Sequence, residues 1–170
     1  MIHYREVQRF RQPWLWAVLA PVPVLFGWGL VQQIVLGKPW GSRPAPDFIL
    51  VGVFAITLLF PIWFWNMQLV IEVRDQTLEF IFLLLWRRRR IPLERIERAE
   101  PVTYHPILDY GGWGIRRGRD GWCYNVGGDR GVRLELGGGE RLLLGSQTPD
   151  QLARAILERK NLLGGRRARV

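Results

Sequence analysis

Along the first third of the chain, apolar positions run without a period, whereas in the remainder they come in short alternating runs separated by turn residues. From Gln12 to Gly37 no residue is charged over 26 positions, and from Phe48 to Ile71 none over 24. A helix needs about 20 apolar residues to cross a hydrocarbon core of about 30 Å. Trp14–Leu36 and Phe48–Trp65 therefore predict two transmembrane helices, and a remainder of roughly 100 residues is too small to enclose both as core helices. The first run is too long for a signal-peptide core of about 7–15 residues and has no A-x-A cleavage pattern before Lys38, so it is expected to stay on the chain.

After Trp65 the pattern predicts strands near Leu69–Arg74, Leu78–Trp86, Ile96–Tyr104, Trp113–Arg117, Gly121–Val126, Val132–Leu136 and Arg141–Leu144. Asp75-Gln76, Gly118-Arg119-Asp120, Gly127-Gly128-Asp129 and Gly137-Gly138-Gly139 supply turns between them. Val132, Leu134 and Leu136 alternate with Arg133 and Glu135, the pattern of a strand with one buried face. A C-terminal helix is announced by Thr148 as N-cap, Pro149 in the first turn and Gln151 completing a capping box. Leu152, Ala155, Ile156 and Leu163 give it an apolar stripe, and Gly164-Gly165 are expected to stop it.

The expected architecture is a membrane-anchored α+β chain: a two-helix transmembrane hairpin, then a curled antiparallel sheet with a C-terminal helix, the arrangement of a PH-like domain. The expected divisions are an N-terminal segment over 1–13, the hairpin over 14–68 with spans at about 14–36 and 48–66, the PH-like domain over 69–163, and a basic tail over 164–170. Pro21, Pro23 and Pro61 are expected to kink the helices. Gln32, Gln33, Asn66 and Gln68 near the span ends suit headgroup-level or helix–helix hydrogen bonds rather than ion coordination.

Charge sets the orientation. Arg5, Arg9 and Arg11 precede the first span, the connecting loop carries only Lys38 and Arg43, and Glu72–Val170 holds 19 Lys and Arg against 13 Asp and Glu. Positive residues stay on the cytoplasmic side, so an inner-membrane protein with both termini cytoplasmic is expected. Trp14, Trp16, Trp63 and Trp65 fall at the cytoplasmic interface, and Trp40 falls in the opposite loop.

Four segments, Tyr110-Gly-Gly-Trp-Gly-Ile-Arg116, Gly121-Trp-Cys-Tyr-Asn-Val126, Gly131-Val-Arg-Leu-Glu-Leu136 and Leu144-Gly-Ser-Gln-Thr-Pro149, resemble bacterial two-span membrane proteins with a PH-like domain of uncharacterised function. The resemblance covers about Leu69–Leu163 and the preceding hairpin. It implies fold and location and attaches no chemistry to the motif residues. Tyr110, Gly111, Gly112, Trp113, Gly114, Arg116, Trp122, Tyr124 and Asn125 are read as structural, the glycines allowing a bend that sets Trp113 against the core.

Candidate chemistry is sparse. Neither a phosphate-binding loop nor a dinucleotide fingerprint is present. His3, His105 and Cys123 are too few and too scattered for a zinc site. Cys123, between Trp122 and Tyr124, reads as a small buried hydrophobe. No catalytic residue, cofactor or metal is expected, nor any nucleic-acid partner, since no DNA-binding helix or RNA-binding signature accompanies the basic charge.

The suggestive feature is Leu78–Trp86 followed by Arg87, Arg88, Arg89 and Arg90. Leu78, Phe80, Phe82, Leu84 and Trp86 would face the core, leaving Ile81, Leu83 and Leu85 as an outward interaction patch, with the four arginines as candidate anionic-lipid contacts at about 1 kcal/mol each near a membrane surface. The first expectation is a non-enzymatic interaction or assembly module with a protein partner. The alternatives are an anionic-lipid sensor or an accessory subunit of a membrane transporter or enzyme. Homo-oligomerisation stays open.

Overall fold

The computed structural model describes residues 1–83, 87–118 and 120–167, which divide into two units. One is Phe10–Asn66; the other joins Met1–Arg9 to the chain from Met67 onward.

The apolar unit begins with α1 (Pro13–Leu19) and α2 (Pro21–Leu30), which meet at Ala20, and a π-helical segment Val31–Val35 extends the second. Pro21 occupies the first position of α2, where a missing N–H costs nothing. The partner helix, α3 (Asp47–Asn66), carries Pro61 within it. Pro13–Val35 and Asp47–Asn66, 23 and 20 residues, are each long and apolar enough to cross a membrane. They associate through aromatic edges: Trp16 on Trp65 at 5.3 Å and Phe10 on Phe64 at 5.6 Å between ring centroids. The Arg11 guanidinium lies 3.4 Å from the centre of the Trp65 ring, a cation–π contact that keeps the charge at the mouth of the apolar unit. Trp40, expected at a far interface, folds back on Gly29, where an added Cβ would fall 2.7 Å from the indole. Gln33 donates to the Ala45 carbonyl at 2.8 Å and to Asp47 at 2.7 Å, tying the connecting loop to the start of α3.

Among the described residues the second unit holds nine strands. Sheet one is an antiparallel meander of β1 (Ile2–Arg9), β2 (Gln68–Arg74), β3 (Thr77–Leu83) and β4 (Arg87–Pro92). A 3-10 turn, Leu93–Arg95, leads to sheet two, whose order is β5 (Ile96–Thr103), β8 (Arg130–Leu136), β9 (Glu140–Gly145), β7 (Gly121–Asn125) and β6 (Gly114–Gly118). α4 (Pro106–Tyr110) bridges β5 and β6, and α5 (Pro149–Arg167) closes the unit against β5 and β8.

Two strands are added to the expected set, and two expectations need correction. The N-terminal segment is a strand: Val7 faces Val70 and Gln8 faces Leu69 in an antiparallel ladder that brings the two ends of the apolar unit together. The arginine run is also a strand, because pairing with the apolar β3 satisfies its backbone whatever its side chains. Sheet two is mixed, with β7 parallel to β9. Finally, Gly164-Gly165 do not end α5, which runs on to Arg167; neither adopts the left-handed backbone of a helix stop. The described part of the supposed tail is therefore helical.

The core lies between the inner faces. Leu69, Ile71, Val73, Leu78, Phe80 and Phe82 from sheet one meet Val132, Leu134, Leu136, Leu142 and Leu144 from sheet two, all essentially excluded from solvent. Phe80 packs edge-on against Tyr124 at 4.8 Å. The other face of sheet two has its own small cluster, Tyr104, Tyr110, Cys123 and Leu143, roofed by α4. Burial pushes the Cys123 thiol up to about 12, so the free side chain stays protonated at neutral pH.

Polar groups fasten β1. The Glu6 carboxylate accepts from Ser146 Oγ at 2.6 Å, from the Gln147 N–H at 2.7 Å and from the Tyr4 hydroxyl at 2.5 Å. Buried Gln8 donates to the Gly145 carbonyl at 2.7 Å. At the other end of the strand, Asp75 in the β2–β3 turn binds the His3 ring at 2.6 Å and the Met1 amine, and these hold its carboxyl down at about 2. Because the folded value lies below the ordinary 3.8, this tie is intact above about pH 4 and is lost as pH falls from about 4 toward 2. Hydrogen exchange of the β1 amides should accelerate over that window, and Asp75→Asn should make it fast at every pH; an unchanged acid profile in Asp75→Asn would sever the link to Asp75.

Candidate interaction surface

Alternation fixes which side chains of sheet one face outward. Opposite residues in the ladder share a face, so Val7, Val70, Ile81 and Arg88 form one outer row and Arg5, Glu72, Glu79 and Arg90 the next. The second row is an ion ladder. Arg5 reaches Glu72 at 3.4 Å, Arg74 bridges Glu72 at 2.7 Å and Glu79 at 3.9 Å, and Arg90 meets Glu79 at 3.2 Å. Beside it runs the apolar row, with Val7 41% exposed, Ile81 half-buried, Val70 buried, and a shallow cavity of about 80 Å³ between Val70, Ile81 and Arg88; half-buried Leu83 stands in the following row, opposite Gln68.

The expected outward patch is thus two residues at the described positions, Ile81 and Leu83; Leu85 lies outside the described residues, as do Leu84 and Trp86. Val7 and Val70 extend the row, and sequence reasoning missed both. Val7 sits in a segment that reads as polar, and Val70 alternates within a strand whose outer positions are otherwise Gln68, Glu72 and Arg74.

The four arginines are not one cluster. Arg88 is exposed on the outer face. Arg90, also outward, is paired with Glu79. Arg89 points to the inner side, where it bonds the Glu140 carboxylate. Arg87 lies in β4 opposite Phe82. A strand sends neighbours to opposite faces, so a run of arginine in β4 cannot present all four charges to one flat surface.

The motif residues build the corner of sheet two. Asn125, fully buried, accepts from the Gly114 N–H at 2.8 Å and donates to the Tyr104 hydroxyl at 2.9 Å. Tyr110 packs edge-on to Tyr104 at 5.9 Å. Gly111 is the left-handed cap of α4 and Gly114 also has positive φ. The bend does not send Trp113 into the core: its indole, half-buried, donates to the Gly128 carbonyl in the β7–β8 turn, while its own carbonyl accepts from Arg116. Trp122 is half-buried beside Tyr124. No group of three or more His, Cys, Asp and Glu side chains able to hold a metal occurs among the described residues. A groove of about 440 Å³ lined by Glu97, Asp120, Glu135 and Arg141 has its charges partly matched, Arg141 to Glu135 at 3.4 Å and Arg133 to Asp120 at 3.6 Å.

This order of elements, from the first strand through the helical pair to the fifth helix, is covered by a single family model, which matches residues 1–161. The chain belongs to the family of unknown function DUF6141. No curated protein matches it. In the DUF6141 chain the matched region includes β1 as well as both sheets, so the strand that precedes the apolar unit is part of the family's pattern.

Proposed function

We propose that the protein is a membrane-anchored interaction module: a helical hairpin holds a PH-like domain at the cytoplasmic face of the inner membrane, and the outer face of sheet one docks a protein partner. The observation that carries this reading is the outer apolar patch of Val7 and Ile81, floored by buried Val70 and extended by Leu83 in the neighbouring row, beside the ion ladder, a combination of apolar centre and charged margin that suits a protein interface. The PH-like assignment is supported by an antiparallel meander followed by a second sheet and a closing C-terminal helix. The anchor is supported by the two apolar helices and by the β1–β2 ladder, which requires the chain to enter and leave the hairpin on one side. The flanking arginines make that side cytoplasmic under the positive-inside rule.

Lipid sensing through Arg87–Arg90 fits less well, since Arg89 and Arg90 are engaged with Glu140 and Glu79. Photo-crosslinking probes at Val7, Ile81 and Arg88 in intact membranes separate the readings. Val7 and Ile81 should yield one common protein adduct, lost in Ile81→Glu and absent from a probe at Arg141 on the opposite groove. Lipid adducts alone, abolished when Arg88 becomes Gln, would replace docking by lipid sensing.

A further inference from the structure

On the outer face of sheet one, the charge that reaches the surface is of one sign. Arg5, Arg9, Arg74, Arg88 and Arg90 lie on that face, with Glu72 and Glu79 as the only carboxylates among its described residues. The carboxylates are sunk. Their side chains are 16% and 13% exposed, whereas those of Arg5 and Arg90, which contact them through Nε, are 61% and 59% exposed. In the neighbouring row Arg88 is exposed and makes no ion pair among the described residues. A partner approaching this face therefore meets guanidinium groups over an apolar centre.

The same face supplies one recess, the cavity of about 80 Å³ lined by Val70, Phe80 and Ile81 and rimmed by Arg74 and Arg88. That is roughly half the volume that admits a benzene ring, which suits one short aliphatic side chain. The guanidiniums around it are preorganised: Glu72 and Glu79 hold Arg5, Arg74 and Arg90 in place, so a ligand freezes few further rotamers. Arginine also offers a carboxylate two parallel N–H bonds. A second copy of the chain does not match the face, because a symmetric contact would set the same guanidiniums against one another. Headgroups of a fluid lipid layer would meet the charges and leave the recess without an anchor.

We propose that the outer face of sheet one binds an acidic protein segment, one short aliphatic side chain of which enters the recess beside Val70 and Ile81 while its carboxylates pair with Arg88 and Arg90. The inference rests on the docking reading of this face and specifies the chemistry of the partner.

The test uses the full chain in phosphatidylcholine nanodiscs and fluorescein-labelled peptides, with binding read by anisotropy. The probe peptide carries a single Val between Asp-Glu pairs; one counterpart has Lys at the acidic positions and the other has Ser in place of the Val. The acidic Val peptide should bind at least about tenfold more tightly than either counterpart, and its affinity should fall as salt is raised. Arg88→Glu should weaken it by about tenfold or more, Arg88→Lys by less, and Ile81→Ser should remove the preference for Val over Ser. Arg117→Glu, the same charge change on sheet two, should leave binding as it is. An acidic Val peptide that binds no better than its Lys counterpart overturns the proposal, and so does an Arg88→Glu variant that binds as well as Arg117→Glu. Photo-crosslinks from Val7 and Ile81 in intact membranes keep the two readings apart. An adduct mapped to an acidic segment supports both, one mapped to a neutral or basic segment ends this inference and leaves docking standing, and lipid adducts alone end both.

Discussion

Gly121→Ala is expected to unfold the second unit or to destabilise it by at least about 3 kcal/mol, a fall in Tm of roughly 10 °C or more for a unit of this size. Gly121 opens β7 with a φ of 98°, and an added Cβ would stand 2.0 Å from the Arg141 carbonyl oxygen. The left-handed backbone alone costs a non-glycine residue about 1–2 kcal/mol. The remainder comes from separating β7 from β9, whose parallel contact Trp122–Tyr124 against Leu142–Leu144 joins the β6–β7 hairpin to the rest of sheet two. Gly128→Ala isolates the first contribution, because Gly128 has a φ of 71° with open space around it. Circular dichroism melting of the three proteins in detergent should rank wild type, Gly128→Ala and Gly121→Ala in falling order; equal losses in the two variants would mean that the strand contact matters little.

Asn125→Leu should cost about 2–4 kcal/mol although it adds apolar volume to a buried site. The substitution deletes both hydrogen bonds of the side chain and leaves the Gly114 N–H and the Tyr104 hydroxyl facing hydrocarbon. Burial pushes the Tyr104 hydroxyl pKa well above its ordinary value, and the hydrogen bond from Asn125 offsets that only in part. Removing Asn125 therefore leaves that hydroxyl without its stabilising partner in the same apolar setting. Asn125→Asp, which keeps an acceptor for Gly114, should lose less at low pH, where a protonated carboxyl can also donate to Tyr104. Urea unfolding followed by tryptophan fluorescence measures all three; a Leu variant as stable as the native protein would remove Asn125 from the framework.

Much of this architecture was legible in the chain because burial imposes a period. Strand β8 alternates apolar and polar positions, β2, β3 and β9 show as short apolar runs, and the glycine and aspartate turns between strands fall where read. The two strands that escaped notice are those whose polar positions are satisfied by distant partners. Tyr4, Glu6 and Gln8 of β1 face inward onto Gly145–Thr148, so the strand looks polar on both faces. β4 is four arginines long before Ile91, and only the ladder with β3 and the Glu79 and Glu140 carboxylates make it a strand. The parallel register of β7 and β9 has no local signature, since it is set by the β8 strand that intervenes in sequence. The candidate surface was legible by half for the same reason: Ile81 and Leu83 show in the alternation of β3, while Val7 enters only once β1 is known to pair with β2.

That pairing imposes an order on synthesis. β1 is made before β2, the strand that completes its hydrogen bonds, and 57 residues of apolar unit separate the two. At about 5–20 residues per second, β1 waits several seconds, and its anchors at Gly145–Thr148 arrive later still. Its polar inner face, Tyr4, Glu6 and Gln8, keeps a waiting strand soluble where Leu or Val would invite aggregation. The same geometry fastens β1 in two stages: its ladder can close as soon as β2 has been made, whereas the anchors of Tyr4, Glu6 and Gln8 at Gly145–Thr148 form only after the rest of sheet two.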